Sequence, residues 1–236
     1  MMIIIPVLDI RGGLAVRAIA GQRERYKPLA GGVAGSSEPV EVAAAFENLG
    51  FREMYIADLD GIMKGCPDYP TIEKIKEKTG LALLVDSGVS SIGEIAELKK
   101  TGAGRVIVST ESVGSADFPA DACKVFGREN IVLSIDVKDG RVLSRCGTIK
   151  SKTPQDVAAK FAQHTGEIIL LDLSRVGMGE GPNLDLCEKV IGGGCGVPII
   201  YGGGVRGEDD IELLRRAGVS GALVGSAVHS GGIIAR

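Results

Sequence analysis

The sequence predicts one α/β domain, a single parallel (β/α)8 or TIM barrel built from two similar half-barrels, and three observations carry that reading. Short apolar, β-branched runs alternate with amphipathic helical patterns from end to end. The runs are apolar throughout, as strands covered on both faces require. The two halves also resemble each other: Gly88, Gly102 and Thr110 match Gly204, Gly218 and Ser226 at one offset of 116 residues. A constant offset over such a stretch marks an internal repeat, with half-barrels at about 1–126 and 127–236.

The elements follow in order. Strands are expected at Ile3–Leu8, Glu53–Ala57, Ala82–Val85, Arg105–Val108, Ile131–Ile135, Ile168–Leu171, Pro198–Tyr201 and Ala222–Val224. Between them, Pro39–Leu49 reads as a helix with a cap in Ser36-Ser37-Glu38, and Tyr69–Lys78 as one that ends before Gly80. Ser91–Thr101, Pro154–Gln163, Leu184–Ile191 and Gly207–Ala217 complete the clearer helices, with a weaker pattern at Phe118–Phe126. Asn183 is expected to cap the helix that follows it. An open doubly wound sheet is the alternative arrangement of the same alternation. The sequence ends at Arg236, which leaves little room for a full closing helix.

Composition narrows the function. Of 236 residues, 44% are hydrophobic and 24% charged, with a net charge of −3, an ordinary globular balance. No Lys/Arg run is long enough for a nucleic-acid face, so no nucleic-acid partner is expected. The apolar run Met1–Leu8 is too short to span a membrane and lacks signal-peptide features, so no membrane partner and a cytoplasmic location are expected. Cys66, Cys123, Cys146, Cys187 and Cys195 form no CxxC pair and read as reduced structural thiols. With only His164 and His229, neither expected to be catalytic, no metal site and no cofactor are expected. The sequence sets no oligomeric state. Thirty-five glycines, about twice the usual share of roughly 7%, cluster between the apolar runs, where backbone approaches a ligand.

Chemistry is expected at the strand ends. Asp9 closes strand 1 and Asp136 closes strand 5, which lie opposite one another in an eight-stranded barrel. Two carboxylates in different surroundings can divide the roles of base and acid. Gly202-Gly203-Gly204 after strand 7 and Gly225-Ser226 after strand 8 have the spacing of a barrel phosphate site. The matching positions of the first half are Asp86-Ser87-Gly88-Val89-Ser90 and Ser109-Thr110. There a carboxylate would repel a phosphate, so a second phosphate site would rest on Ser109 and Thr110. Arg17 is a candidate phosphate contact or a salt-bridge partner. Asp58 and Asp60 would bind sugar hydroxyls or hold the loop to Gly65, and Asp172 would touch the ligand or orient Arg175. A phosphorylated small-molecule substrate is the expected partner.

Ile4–Ile10, Gly12-Gly13 with Val16-Arg17, Ala57–Gly61, Ser134-Ile135-Asp136, Gly181-Pro182-Asn183, Gly202–Arg206 and Val224–Ala227 together resemble the histidine-biosynthesis barrels, and their isomerase branch more than the cyclase branch. The cyclases carry a lysine where this chain has Arg17. The resemblance covers nearly the whole chain. It implies a cofactor-free Amadori rearrangement of an aminoaldose to an aminoketose. The residue matching Asp9 would be the base that removes the C2 proton, and the one matching Asp136 the acid that opens the ribose ring. Two phosphates would anchor the substrate at opposite sides of the mouth.

The chain departs from that pattern at defined places. Leu171-Asp172 and Val176-Gly177-Met178 stand where the family carries a catalytic Thr and an Asp-Gly-Thr turn. Asp86–Ser90 replaces a Gly-Gly-Gly-Ile-Arg segment, and Cys146-Gly147 stands where an aromatic residue stacks on the substrate base. These changes fall on one half of the ligand. They point to a divergent paralogue with a smaller, singly phosphorylated substrate, against retention of the family reaction. A non-catalytic phosphometabolite-binding barrel is the alternative from another class.

Overall fold

Eight parallel strands close on themselves in the structure, a computed structural model that describes residues 2–235. Met1, at the start of the first apolar run, and Arg236 lie outside the described residues. The barrel strands are β1 (Ile3–Arg11), β2 (Glu53–Asp58), β3 (Ala82–Asp86), β4 (Arg105–Ser109), β5 (Ile131–Lys138), β6 (Ile168–Asp172), β7 (Ile199–Gly202) and β8 (Gly221–Val224). Each pairs in parallel with the next, and the ring is completed where Ile3 to Pro6 of β1 pair with Gly221 to Val224 of β8. That last ladder removes the open doubly wound sheet from consideration. The outer helices are α1 (Pro39–Asn48), α2 (Tyr69–Lys78), α3 (Ile92–Lys100), α4 (Phe118–Phe126), α5 (Pro154–Phe161), α6 (Leu184–Gly192) and α7 (Glu208–Arg216).

Two cores follow from the two-residue period of each strand. One side chain from every strand fills the barrel interior: Ile5, Tyr55, Leu84, Ile107, Val132, Ile169, Ile200 and Leu223. Their neighbours along each strand point outward and pack under the helices, as Leu83, Val85, Val106 and Val108 do against Ile72, Ile75, Ile95 and Leu98. Each such side chain, once buried, contributes about 1.5–3 kcal/mol, so the two layers hold the strand ends rigidly.

Local chemistry explains where the helices begin. Ser91 and Glu94 form a reciprocal capping box at α3, Thr153 caps α5, and the Asn183 carboxamide oxygen accepts from the Leu186 N–H at 3.2 Å as expected. The cap of α1 differs from expectation. Glu38 precedes the helix without a side-chain bond, while Ser36 Oγ accepts from the Glu38 N–H at 3.0 Å. The Pro39 ring presets the first turn there.

The strand ends hold the other differences. β1 and β5 run past Asp9 and Asp136 and fold back as antiparallel segments, Leu14–Arg17 and Arg141–Val142. The turns are Gly12-Gly13 and Asp139-Gly140, all four residues with positive φ, as tight hairpins need. Leu14–Arg17 then pairs with Lys27–Pro28. Behind Asp58 the chain enters a short helix, Leu59–Lys64, rather than a loop. After β8 a single turn, Ser226–His229, stands in place of a full helix.

Candidate active site

The C-terminal ends of the strands surround a cleft of roughly 960 Å3. Asp9 from β1 and Asp136 from β5 both line it, and so does Asp86 from β3. All three obey the inward parity of their strands: Asp9 follows Ile5 by four residues, Asp136 follows Val132 by four, and Asp86 follows Leu84 by two. The Tyr55 hydroxyl lies in the field of all three, and burial, followed by that field, pushes its pKa well up.

The three carboxyls are held differently. Asp136 is only 2% exposed. Its Oδ2 accepts from the Glu111 N–H at 3.0 Å and the Thr110 hydroxyl at 3.2 Å, and its Oδ1 from the Ser134 hydroxyl at 3.3 Å. Burial, then the charges of Asp86 and Glu111, raise its pKa to about 8. Asp9 has no hydrogen-bond donor among the described residues; burial raises it to about 7 against the pull of Arg23. Asp86 accepts from the Tyr55 hydroxyl at 3.2 Å and the Gly88 N–H at 3.0 Å, and burial raises it to about 6. At neutral pH Asp9 is therefore the more readily ionised member of the Asp9–Asp136 pair.

At the β7–β8 side the wall is backbone. Gly202, Gly203, Gly204, Gly225 and Ser226 all line the cleft. Gly203 (φ 135°) and Gly204 (φ 75°) take conformations open to glycine. A Cβ on Gly204 would lie 2.6 Å from the Gly181 carbonyl, whereas one on Gly225 would meet only Val7, at 3.9 Å. Arg17 and Lys27 are paired across the antiparallel ladder, both line the cleft, and neither has a carboxylate partner among the described residues. Like charges set directly opposite each other disfavour a ladder, so an anion between them would relieve the pair. Arg17 also lies close enough to His229 to help lower its pKa, behind burial as the main cause. His229 packs on Phe46, and its Nε2 sits 3.2 Å from the Val7 carbonyl.

The β3–β4 side is acidic. Ser109 and Thr110 are buried and not part of the cleft lining. The Ser109 hydroxyl donates to Ser112 at 3.1 Å, and Thr110 Oγ1 accepts from the Asp136 N–H at 2.9 Å besides donating to its carboxylate. Glu111 does line the cleft and holds Arg23 in a two-pronged ion pair at 2.6 and 2.5 Å. Arg23 comes from the loop after Leu14–Arg17, so this pair bridges two loops across the mouth.

Two further candidates sit outside the lining. Asp58 is fully buried, accepting from the Gly61 N–H at 3.1 Å and the Asp68 N–H at 2.8 Å. Asp172 accepts from the Ser174 N–H at 3.2 Å and the Asn183 carboxamide at 3.0 Å, with Arg175 at 3.8 Å. It stands behind the glycine turn, where a Cβ on Gly203 would come within 2.7 Å of its carbonyl oxygen. Arg23, Lys27, Glu111, Asp86 and Tyr55 are cleft residues that sequence reasoning did not single out as site residues. Asp86 and Tyr55 could have been found from strand parity; the Arg23–Glu111 pair, 88 residues apart on two loops, has no local signal.

Residues 3–233 match the histidine biosynthesis protein family. The chain belongs to that family. It is 34% identical to the 1-(5-phosphoribosyl)-5-((5-phosphoribosylamino)methylideneamino)imidazole-4-carboxamide isomerase of Thermoanaerobacter pseudethanolicus, over 98% of this chain and 95% of the relative. In Methanocaldococcus jannaschii it is similar to two proteins. One is uncharacterised, 33% identical over 98% of this chain and 94% of its own. The other is the isomerase of the same name, 31% identical over the same shares.

Leu171 lines the cleft with an apolar side chain, and Val176 and Gly177 follow it there. Gly177 packs under the Arg17–Arg23 loop, where a Cβ would overlap the Ala18 carbonyl oxygen. Among the described residues no cluster of His, Cys, Asp or Glu is arranged to hold a metal, and no helix is long and apolar enough to cross a membrane.

Proposed function

We propose that this chain is an aldose–ketose isomerase of the Amadori type, acting on a phosphorylated, sugar-type substrate with Asp9 as base and Asp136 as acid. The observation that carries the reading is the pair itself: two inward carboxyls on opposed strands of one cleft, with pKa values raised to about 7 and about 8. Asp136, the more strongly protonated, donates to the ring oxygen as the ring opens to a Schiff base. Asp9, the more readily ionised, removes the C2 proton. The enolamine that results tautomerises to the ketose, so the sum is an isomerisation with no external oxidant. A phosphate rests on Gly202–Gly204, Gly225 and Ser226, with Arg17 and Lys27 supplying charge. Thr110 serves the acid, by holding Asp136, rather than the phosphate, while the Ser109 hydroxyl is engaged by Ser112. Asp58 and Asp172 act through the loops they brace. The barrel reads as two similar halves, 1–126 and 127–236, with one base or acid from each.

An altered substrate is favoured over the one named for the bacterial relatives. The chain is similar both to the isomerase and to an uncharacterised protein of one organism, as a divergent paralogue would be. The test is turnover of a singly phosphorylated ribosylamine alongside the relatives' own substrate, in the wild type and in Asp9→Asn and Asp136→Asn. General acid–base groups contribute about 10²–10⁴ in rate, and each variant should lose that much while still binding. Binding without turnover in the wild type would make the barrel a phosphometabolite-binding protein. Robust turnover of the relatives' substrate, abolished in both variants, would remove the altered-substrate reading.

A further inference from the structure

Resting on the assignment of a phosphate to Gly202–Gly204 and Gly225–Ser226, we infer that the opposite end of the cleft takes a protonated amine of the substrate and rejects a second phosphate, with Asp86 and Glu111 as the specificity-determining residues.

The offset of 116 residues sets Asp86 against Gly202, Gly88 against Gly204, Ser109-Thr110 against Gly225-Ser226 and Glu111 against Ala227. The backbone that forms a glycine wall at one end thus carries two carboxylates at the other. The backbone amides are also spoken for. The Gly88 N–H donates to Asp86 Oδ1 at 3.0 Å, and the Glu111 N–H donates to Asp136 Oδ2 at 3.0 Å. A phosphate oxygen arriving here would have to displace a carboxylate oxygen from each. The cation lining this end among the described residues, Arg23, is engaged by both oxygens of Glu111 and held with its guanidinium largely covered.

What remains is a surplus of negative charge facing open space. Asp9, Asp86 and Glu111 share one guanidinium beside the protonated Asp136, and Asp9 has no donor of its own among the described residues. An ammonium group brings a positive charge and three N–H donors and needs no acceptor in return. It would neutralise the surplus and satisfy the bare carboxylate of Asp9 at once. A phosphate would add charge of the same sign beside these carboxylates. A neutral hydroxyl would supply one donor and leave the charge uncompensated.

Calorimetric titration of the full chain at pH 7.5 with glucosamine 6-phosphate, glucose 6-phosphate and glucose 1,6-bisphosphate reads this directly. The aminosugar phosphate should bind about tenfold tighter than its hydroxyl parent, and the bisphosphate weakest. Asp86→Asn and Glu111→Gln should each shrink the preference for the amine. Arg17→Ala should weaken all three ligands alike and leave their order unchanged. The ranking is measured on the wild type, so it stands even where a variant fails to fold. An aminosugar phosphate no tighter than its parent, or a bisphosphate as tight as the monophosphate, overturns the inference. If Arg17→Ala changes none of the three while the amine preference persists, the phosphate assignment fails and the amine end is supported.

Discussion

Residues 202–204 and 225–227 leave β7 and β8 as glycines and small side chains, while residues 86–88 and 109–111, 116 positions earlier, leave β3 and β4 carrying Asp86 and Glu111. At the first place the cleft is also lined by Arg17 and Lys27, two cations without a carboxylate partner among the described residues. At the second, carboxylates occupy the amides, and the local cation is already paired. Closing eight strands into a ring fixes where a ligand group can sit. A few side chains at the strand ends then fix which group it is. The β3–β4 end also feeds the chemistry, because Asp86 and Glu111 help raise the Asp136 pKa.

That contrast can be broken or sharpened in steps of decreasing effect. The largest is the loss of about 10²–10⁴ in rate expected of Asp9→Asn and Asp136→Asn. Next is the fold cost of the glycine wall. Gly204→Ala forces a Cβ to 2.6 Å from a backbone oxygen at positive φ, and denaturant titration should show a loss of about 1–3 kcal/mol. Gly225→Ala should leave stability within about 0.5 kcal/mol, because its Cβ enters open room, yet weaken inorganic phosphate binding several-fold. Equal phosphate binding in that variant would break the assignment of this end.

The pH dependence is subtler. Turnover needs Asp9 ionised and Asp136 protonated, so the rate profile should rise through about 7 and fall through about 8. Removing the like charge in Asp86→Asn should lower the Asp136 pKa and move the alkaline limb to lower pH. An unmoved limb would separate the acidic end from the chemistry. Stability carries the same signature. Asp136 binds its proton more tightly folded than unfolded, so its contribution is complete below the unfolded value of about 4 and is lost as pH rises through about 8. Urea midpoints at pH 5 and pH 8 should therefore differ less in Asp136→Asn than in the wild type.

The barrel was legible because strands covered on both faces must be apolar runs, and all eight were found. Asp9 and Asp136 were legible because each follows such a run at related places in the two halves. The helix Leu59–Lys64 was not: it is one and a half turns long with Gly61 inside, and it is stabilised by the buried Asp58 cap and by close packing on Ser87. The bonding of Thr110 was hidden as well, since its partner Asp136 becomes a neighbour only when β4 and β5 pair. Asp86 was visible as an intruder in a phosphate motif, but its role as a member of a carboxylate group needed Arg23, Glu111 and Tyr55 to be brought around it.

The most direct measurement is a crystal structure of the chain soaked with inorganic phosphate, with the bound anions counted. The account predicts one phosphate, against Gly202–Gly204, Gly225 and Ser226, within reach of Arg17. A second phosphate at Ser109 and Thr110, or none at the glycine wall, would contradict it.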